Sequence, residues 1–167
     1  MLGGGKRLYD APEKGFSGLP MFKELLVAFV IVAVCLLLHV GAIVSLADWM
    51  LDRRDRRKEE MGTFGYIVLL LIAFSVILIL HMVEIGIFAG FYYLRSLFSD
   101  FETALYFSIT SYTTIGFGDV VLPRAWRLFG GIEGITGVLL CGLSTAFVFA
   151  IINAMFQVRV QRRTNAG

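Results

Sequence analysis

The residues from Thr114 to Asp119, T-I-G-F-G-D, interleave glycine with apolar side chains, so the chemistry open to this segment falls largely to its backbone carbonyls and amides. In a membrane chain a T-x-G-x-G pentad also has a bland reading, as a small-residue packing patch. A second set of residues is titratable: His39, His81, Glu84 and Glu133 interrupt apolar runs. An ionised side chain at mid-bilayer costs about 2.5–3.5 kcal/mol on insertion scales, so each needs a partner or a proton. His81 and Glu84 lie three residues apart on one helix face and can bond each other or turn together toward a third helix, where Glu133 is the candidate partner. The group reads as a satisfied bracing network or as a proton-sensitive switch. Cys35 and Cys141 sit inside apolar runs, where a thiol behaves as a small hydrophobe, and their spacing suggests neither a disulfide nor a metal site.

These residues belong to a chain of 167 residues that is 57% hydrophobic and 17% charged, too apolar to cover a water-facing surface. The net charge is +2 and the basic residues cluster beside apolar runs, which suits membrane flanks and gives no nucleic-acid footprint. Three uncharged stretches, Leu25 to Ala47, Met61 to Val83 and Gly134 to Val158, can each cross about 30 Å of hydrocarbon at about 1.5 Å per residue.

The expected organisation begins with an N-terminal tail over 1–20, an accessory transmembrane helix over 21–50 that is not a cleaved signal peptide, and a charged loop over 51–61. A pore domain over 62–158 follows, with an outer helix over 62–95, a short helix over 99–113, a loop over 114–119 and an inner helix over 125–158, then a tail over 159–167. Trp49, Tyr92 and Tyr93 fit interfacial aromatic belts. Ser99 and Glu102 have the spacing of a capping box at the start of the short helix, which cannot cross a bilayer. Non-helical backbone at membrane depth survives only where protein buries it or where it lines a watery path, so a re-entrant helix and loop between two spans implies a pore. The five basic residues of the charged loop suggest the cytoplasm. A re-entrant loop entering from outside between helices two and three requires the charged loop and the C-terminus to be cytoplasmic and the N-terminus outside. Lys6, Arg7, Lys14 and Lys23 of the N-terminal region weaken the charge bias, and a helix one lying along the inner surface is the alternative.

At Thr114 to Gly118 the sequence resembles the potassium channel family signature, with Ile115 in the usual Val position and Phe117 in the usual Tyr position. Ala104 to Asp119 is similar to that family's pore helix and selectivity filter throughout. The resemblance implies that the carbonyls of Thr114, Ile115, Gly116 and Phe117, with the Thr114 hydroxyl, line K+ sites, while the Ile115 and Phe117 side chains point away and pack. Carbonyls that all face one axis need alternating backbone twist, which Gly116 and Gly118 adopt cheaply. Asp119, Tyr106, Thr110 and Thr113 are the expected filter supports: Tyr106 is expected to bond Asp119, and the short helix to aim its negative end, near Thr113, at a central cavity. Phe117 lacks the phenol of the usual Tyr, and Thr110 stands where some bacterial members carry a glutamate.

One filter per chain implies a homotetramer, so the expected fold is an all-α membrane protein whose three transmembrane helices and re-entrant pore helix assemble around a central pore. By position, Gly137 or Gly142 resembles the inner-helix hinge, Thr145 would line the cavity, and Phe149 and Asn153 would stand near an inner constriction. Helix one carries no repeated Arg or Lys, so no voltage-sensor ladder is expected. The residues after Val158 are expected to hold no folded regulatory domain, which leaves gating to the membrane domain, lipid or an unidentified partner. The resulting expectation is a passive K+ channel of the plasma membrane, not an enzyme, with K+ as permeant ligand and no cofactor. The alternatives are a weakly selective cation channel and a non-conducting regulatory subunit.

Overall fold

The computed structural model describes residues 18–56 and 63–165. These form α1 (Gly18–Arg56), α2 (Thr63–Leu94), α3 (Phe101–Tyr112) and α4 (Arg127–Asn165), the last led in by a 3-10 turn at Arg124–Trp126. No strand occurs among the described residues. Three stretches, Phe22–Arg53, Phe64–Leu94 and Arg124–Gln157, are long and apolar enough to cross a membrane. They carry Leu, Val, Ile and Phe on every side, as helices solvated by lipid do, and Leu37, Leu71 and Leu139 are exposed on the outside of the bundle. The chain is an integral, multi-pass membrane protein.

Helix ends differ from expectation where local chemistry overrides composition. α1 continues through Arg56 into the charged stretch, because Asp52 to Arg56 contains no helix breaker and sets opposite charges four apart. α4 runs to Asn165 rather than stopping at 158, through arginines that favour helix. Residues 1–17 of the expected tail and 57–61 of the expected loop lie outside the described residues.

The cap of α3 is Asp100, not the Ser99–Glu102 box. Asp100 is extended (φ −146°, ψ 162°) and its carboxylate accepts from the Thr103 amide at 2.7 Å, the Thr103 hydroxyl at 2.9 Å and the Ser99 hydroxyl at 2.7 Å. Two carboxylate oxygens take three donors where one hydroxyl could not, which draws Ser99 into supporting the cap instead of forming it. The Thr103 amide first, then the Ser99 hydroxyl, hold the Asp100 carboxyl below its ordinary range.

α2 ends in a left-handed residue, Ser96 at φ 54°. The Leu97 amide bonds the Tyr92 carbonyl at 3.0 Å and the Ser96 amide bonds the Tyr93 carbonyl at 2.9 Å, the paired bonds of a Schellman stop. The chain then doubles back so that α3 packs between α2 and α4, while α1 lies against both of those long helices.

An aromatic cluster locks α3 in place. Phe91 stacks on Phe129 with centroids 4.6 Å apart, and Tyr92 meets Phe98, Phe107 and Phe129 edge-on. Tyr92 is thus a buried core residue rather than part of an interfacial belt, and Tyr93 alone of the pair is exposed. A Cβ on Gly137 would stand 2.0 Å from the Tyr112 carbonyl oxygen, so α4 reaches the end of α3 only because residue 137 has no side chain.

Candidate functional site

The segment after α3 is irregular, and its backbone alternates in hand. Thr114 (φ 60°), Gly116 (φ 50°) and Gly118 (φ 79°) are left-handed, whereas Ile115 and Phe117 between them are not. Alternating right- and left-handed residues turn successive amides to one side of the strand and successive carbonyls to the other. Glycine removes the steric penalty at two of the three positions, and only Thr114 bears a side chain there. The loop is tied back to α3: the Gly116 amide bonds the Thr110 carbonyl at 3.0 Å, and the Thr114 amide bonds the Ser111 carbonyl at 3.0 Å. Thr110 is buried with its hydroxyl on the Phe107 carbonyl at 3.0 Å, and the Thr113 hydroxyl bonds the Ile109 carbonyl at 2.6 Å.

The Tyr106 hydroxyl donates to Asp119 Oδ2 at 2.8 Å, bridging α3 and the end of the loop. This bond holds the Asp119 carboxyl below its ordinary range and pushes the Tyr106 phenol up. Ile115 and Phe117 do not pack within the chain; they are 55% and 71% exposed. On α4, Thr145, Phe149 and Asn153 are also exposed, with the Thr145 hydroxyl turned to its own helix on the Cys141 carbonyl at 2.8 Å. A Cβ on Gly142 would meet nothing within 4 Å, unlike Gly137.

The intramembrane polar residues form two networks where one was expected. Glu133 does not join His81 and Glu84. Its carboxylate accepts from the Tyr92 hydroxyl at 2.5 Å and from the Ser108 hydroxyl, which also lies 2.9 Å from the Ile85 carbonyl. The reason is register: Glu133 lies at the first turns of α4, level with Tyr92 near the end of α2, whereas Glu84 lies two turns deeper. Glu84 pairs instead with His39 of α1, Nδ1 to Oε1 at 2.8 Å, and with His81, Nδ1 to Oε2 at 3.2 Å. The Tyr112 hydroxyl donates to Glu84 Oε2 at 2.6 Å and lies 2.9 Å from His81 Nδ1. Ser144 Oγ of α4 is 3.0 Å from His39 Nε2 and 3.1 Å from His81 Nε2.

His39 was recognisable as a polar intruder but carried no sign of its partner. Tyr112, Ser144, Ser108 and Tyr92 escaped sequence reasoning, since a serine in an apolar run reads as a packing residue and a tyrosine as a hydrophobe. No buried side-chain nitrogen or oxygen among the described residues lacks a hydrogen-bond partner.

A family model described as an ion channel matches residues 66–154, which runs from the first turn of α2 through α3 and the loop to the inner half of α4 and leaves out α1. No curated protein and no solved structure matches the chain. The matched segment covers more than half of the sequence and holds the re-entrant helix, the alternating loop and the two long helices that flank them; the chain belongs to the ion channel family.

Proposed function

We propose that the chain is one subunit of a homotetrameric, potassium-selective channel that conducts K+ passively, with the ion bound by the carbonyls of Thr114, Ile115, Gly116 and Phe117 and the Thr114 hydroxyl. The observation that carries this reading is the positive φ at every second residue from Thr114 to Gly118, a backbone pattern that lets successive carbonyls face one way. Stripping water from K+ requires a dense set of oxygen dipoles, and a single loop offers only one side of such a cage. Four copies around an axis complete it.

The exposed Ile115 and Phe117 support that assembly, because apolar side chains beside a water-filled path need protein to cover them. So does the open groove lined by Thr110, Ser111, Thr114, Gly131, Gly134 and Ile135, a concave and largely apolar seat for a neighbouring subunit. The C-terminal end of α3, capped at Thr113, directs partial negative charge toward the inner side of the loop and favours cations there. Gly142, where an added Cβ would meet nothing within 4 Å, is the hinge candidate, while Gly137 serves close packing. Thr145, Phe149 and Asn153 line the inner pore in this reading. The plasma membrane, with the α1–α2 connection and the C-terminus cytoplasmic, is the setting in which a passive K+ path acts.

The test is reconstitution of the purified protein in liposomes and measurement of the reversal potential in opposed K+ and Na+ solutions, with Gly116→Asp as control. A reversal near the K+ equilibrium value, abolished in the control, is the expected result. A reversal near zero would favour a weakly selective cation channel, which Phe117 makes the specific rival because it has no hydroxyl to tie to α3. Absence of flux would point to a regulatory subunit.

A further inference from the structure

Among the described residues, one cluster brings all four helices together: His39 from α1, His81 and Glu84 from α2, Tyr112 from α3 and Ser144 from α4. His39 and Glu84 are fully buried and His81 nearly so. Arg53, Arg95, Arg127 and Arg159 stand about three turns or more along their helices from the cluster residues, so no lysine or arginine in the adjoining turns balances Glu84. Whatever positive charge the site holds must come from the histidines or from a bound cation.

The donor and acceptor count sharpens this. The Glu84 carboxyl accepts from the Tyr112 hydroxyl and lies within hydrogen-bond distance of His39 Nδ1, and the Tyr112 oxygen lies 2.9 Å from His81 Nδ1. Both rings thus turn Nδ1 toward the Glu84–Tyr112 pair. Ser144 has one hydroxyl hydrogen but faces the Nε2 atoms of both rings, at 3.0 and 3.1 Å. Its own hydrogen can serve one of them, and the other ring can meet Ser144 through an Nε2–H. A metal at the Nδ1 side is compatible with this arrangement. Both Nε2–H groups then donate to Ser144 Oγ, whose two lone pairs accept both, and this is how histidines that ligate metal through one nitrogen are held by the other.

We infer that His39 Nδ1, His81 Nδ1 and Glu84, with the Tyr112 oxygen at the fourth corner, form a binding site for one divalent transition metal of the zinc class. One ligand atom from each of His39, His81 and Glu84 already lies within 4.8 Å of the others. Tetrahedral zinc, with bonds of about 2.0–2.2 Å, separates its ligands by about 3.3–3.5 Å, so the contacts of Glu84 with His39 at 2.8 Å, His81 at 3.2 Å and Tyr112 at 2.6 Å, which now engage both carboxyl oxygens, would open by amounts up to about 0.9 Å on metal binding. Two imidazoles with two oxygens suit zinc-class ions and not calcium or magnesium, which take oxygen alone. The site pins α1, which lies outside the matched channel segment, to the last residue of α3, two positions before Thr114. The inference does not rest on potassium selectivity, and its readout is metal binding rather than flux.

The experiment uses the full chain in detergent, stripped with chelator and then titrated with Co2+ and Zn2+, with bound metal counted by equilibrium dialysis and elemental mass spectrometry. One ion per chain is expected, with a four-coordinate Co2+ visible spectrum bleached by Zn2+. His39→Gln and Glu84→Gln should each weaken binding at least about 10-fold, and Ser144→Ala, which leaves every ligand in place, by about 10- to 100-fold. Size-exclusion profiles identify any variant that fails to fold, and Ser144→Ala, the mildest change, keeps the test decisive. No stoichiometric binding by the unaltered chain would overturn the inference. So would binding that survives both ligand variants, or that disappears in Cys35→Ser or Cys141→Ser, since the thiols would then be the ligands.

Discussion

At the scale of single residues, the bond between Tyr106 and Asp119 is the one that reports on pH. Because the folded Asp119 carboxyl titrates below its ordinary value of 3.8, ionised Asp119 favours the folded loop fully above that value, and the contribution is lost as pH falls through the depressed value. Acidification from neutrality to about pH 5 should therefore leave the contribution of this bond to the loop unchanged. Tyr106→Phe removes the largest cause of the shift and should raise the Asp119 titration toward 3.8. If this bond braces the filter, the variant should also speed current decay during sustained opening. An NMR titration of Asp119 with patch recordings of the same variant checks both. Glu133 gives a second prediction: Tyr92→Phe leaves a buried carboxylate short of one donor and should destabilise the chain by about 1–3 kcal/mol, read as a lowered unfolding midpoint in detergent.

Between elements, the approach of α4 to α3 separates the two glycines that sequence position could not. Gly137→Ala would force a methyl to within 2.0 Å of the Tyr112 carbonyl, so α4 must retreat from the loop's support; a loss of about 1–3 kcal/mol and reduced flux are expected. Gly142→Ala meets nothing and should change stability by less than about 0.5 kcal/mol, while lowering open probability if α4 bends there. Thermal unfolding and single-channel recording on the two variants make the comparison.

The spans, the short helix and the glycine loop were legible because each depends on composition or on residues adjacent in sequence. The partners of His39 and Glu84 were not. They are 45 positions apart, and which faces of α1 and α2 meet depends on rotation about helix axes that uniformly apolar surfaces do not encode. Asp100 was hidden for a different reason: Ser99, Asp100 and Glu102 are all competent near a helix start, and only the geometry of the turn ranks them.

For the whole molecule, the prediction concerns stoichiometry. If four copies share one path and one defective loop blocks it, co-expression of the unaltered chain with Gly116→Asp in equal amounts should leave about one sixteenth of the current, against one half for independent pores. Total protein at the membrane, measured in parallel, guards against loss of expression.

The reach of α1 into the core also bears on how the protein is made. His39 lies near the middle of α1, and Ser144 of α4, whose hydroxyl meets its second nitrogen, is 105 residues later. At about 5–20 residues per second, a ribosome needs about 5–20 s to supply that partner. For that interval a buried imidazole has no complete set of contacts, and the newborn helix is better retained at the insertion machinery than released into lipid. A chain halted before Ser144 is therefore expected to leave that contact unmade, and crosslinking of ribosome-stalled chains to the insertion machinery checks whether α1 is held there until α4 follows.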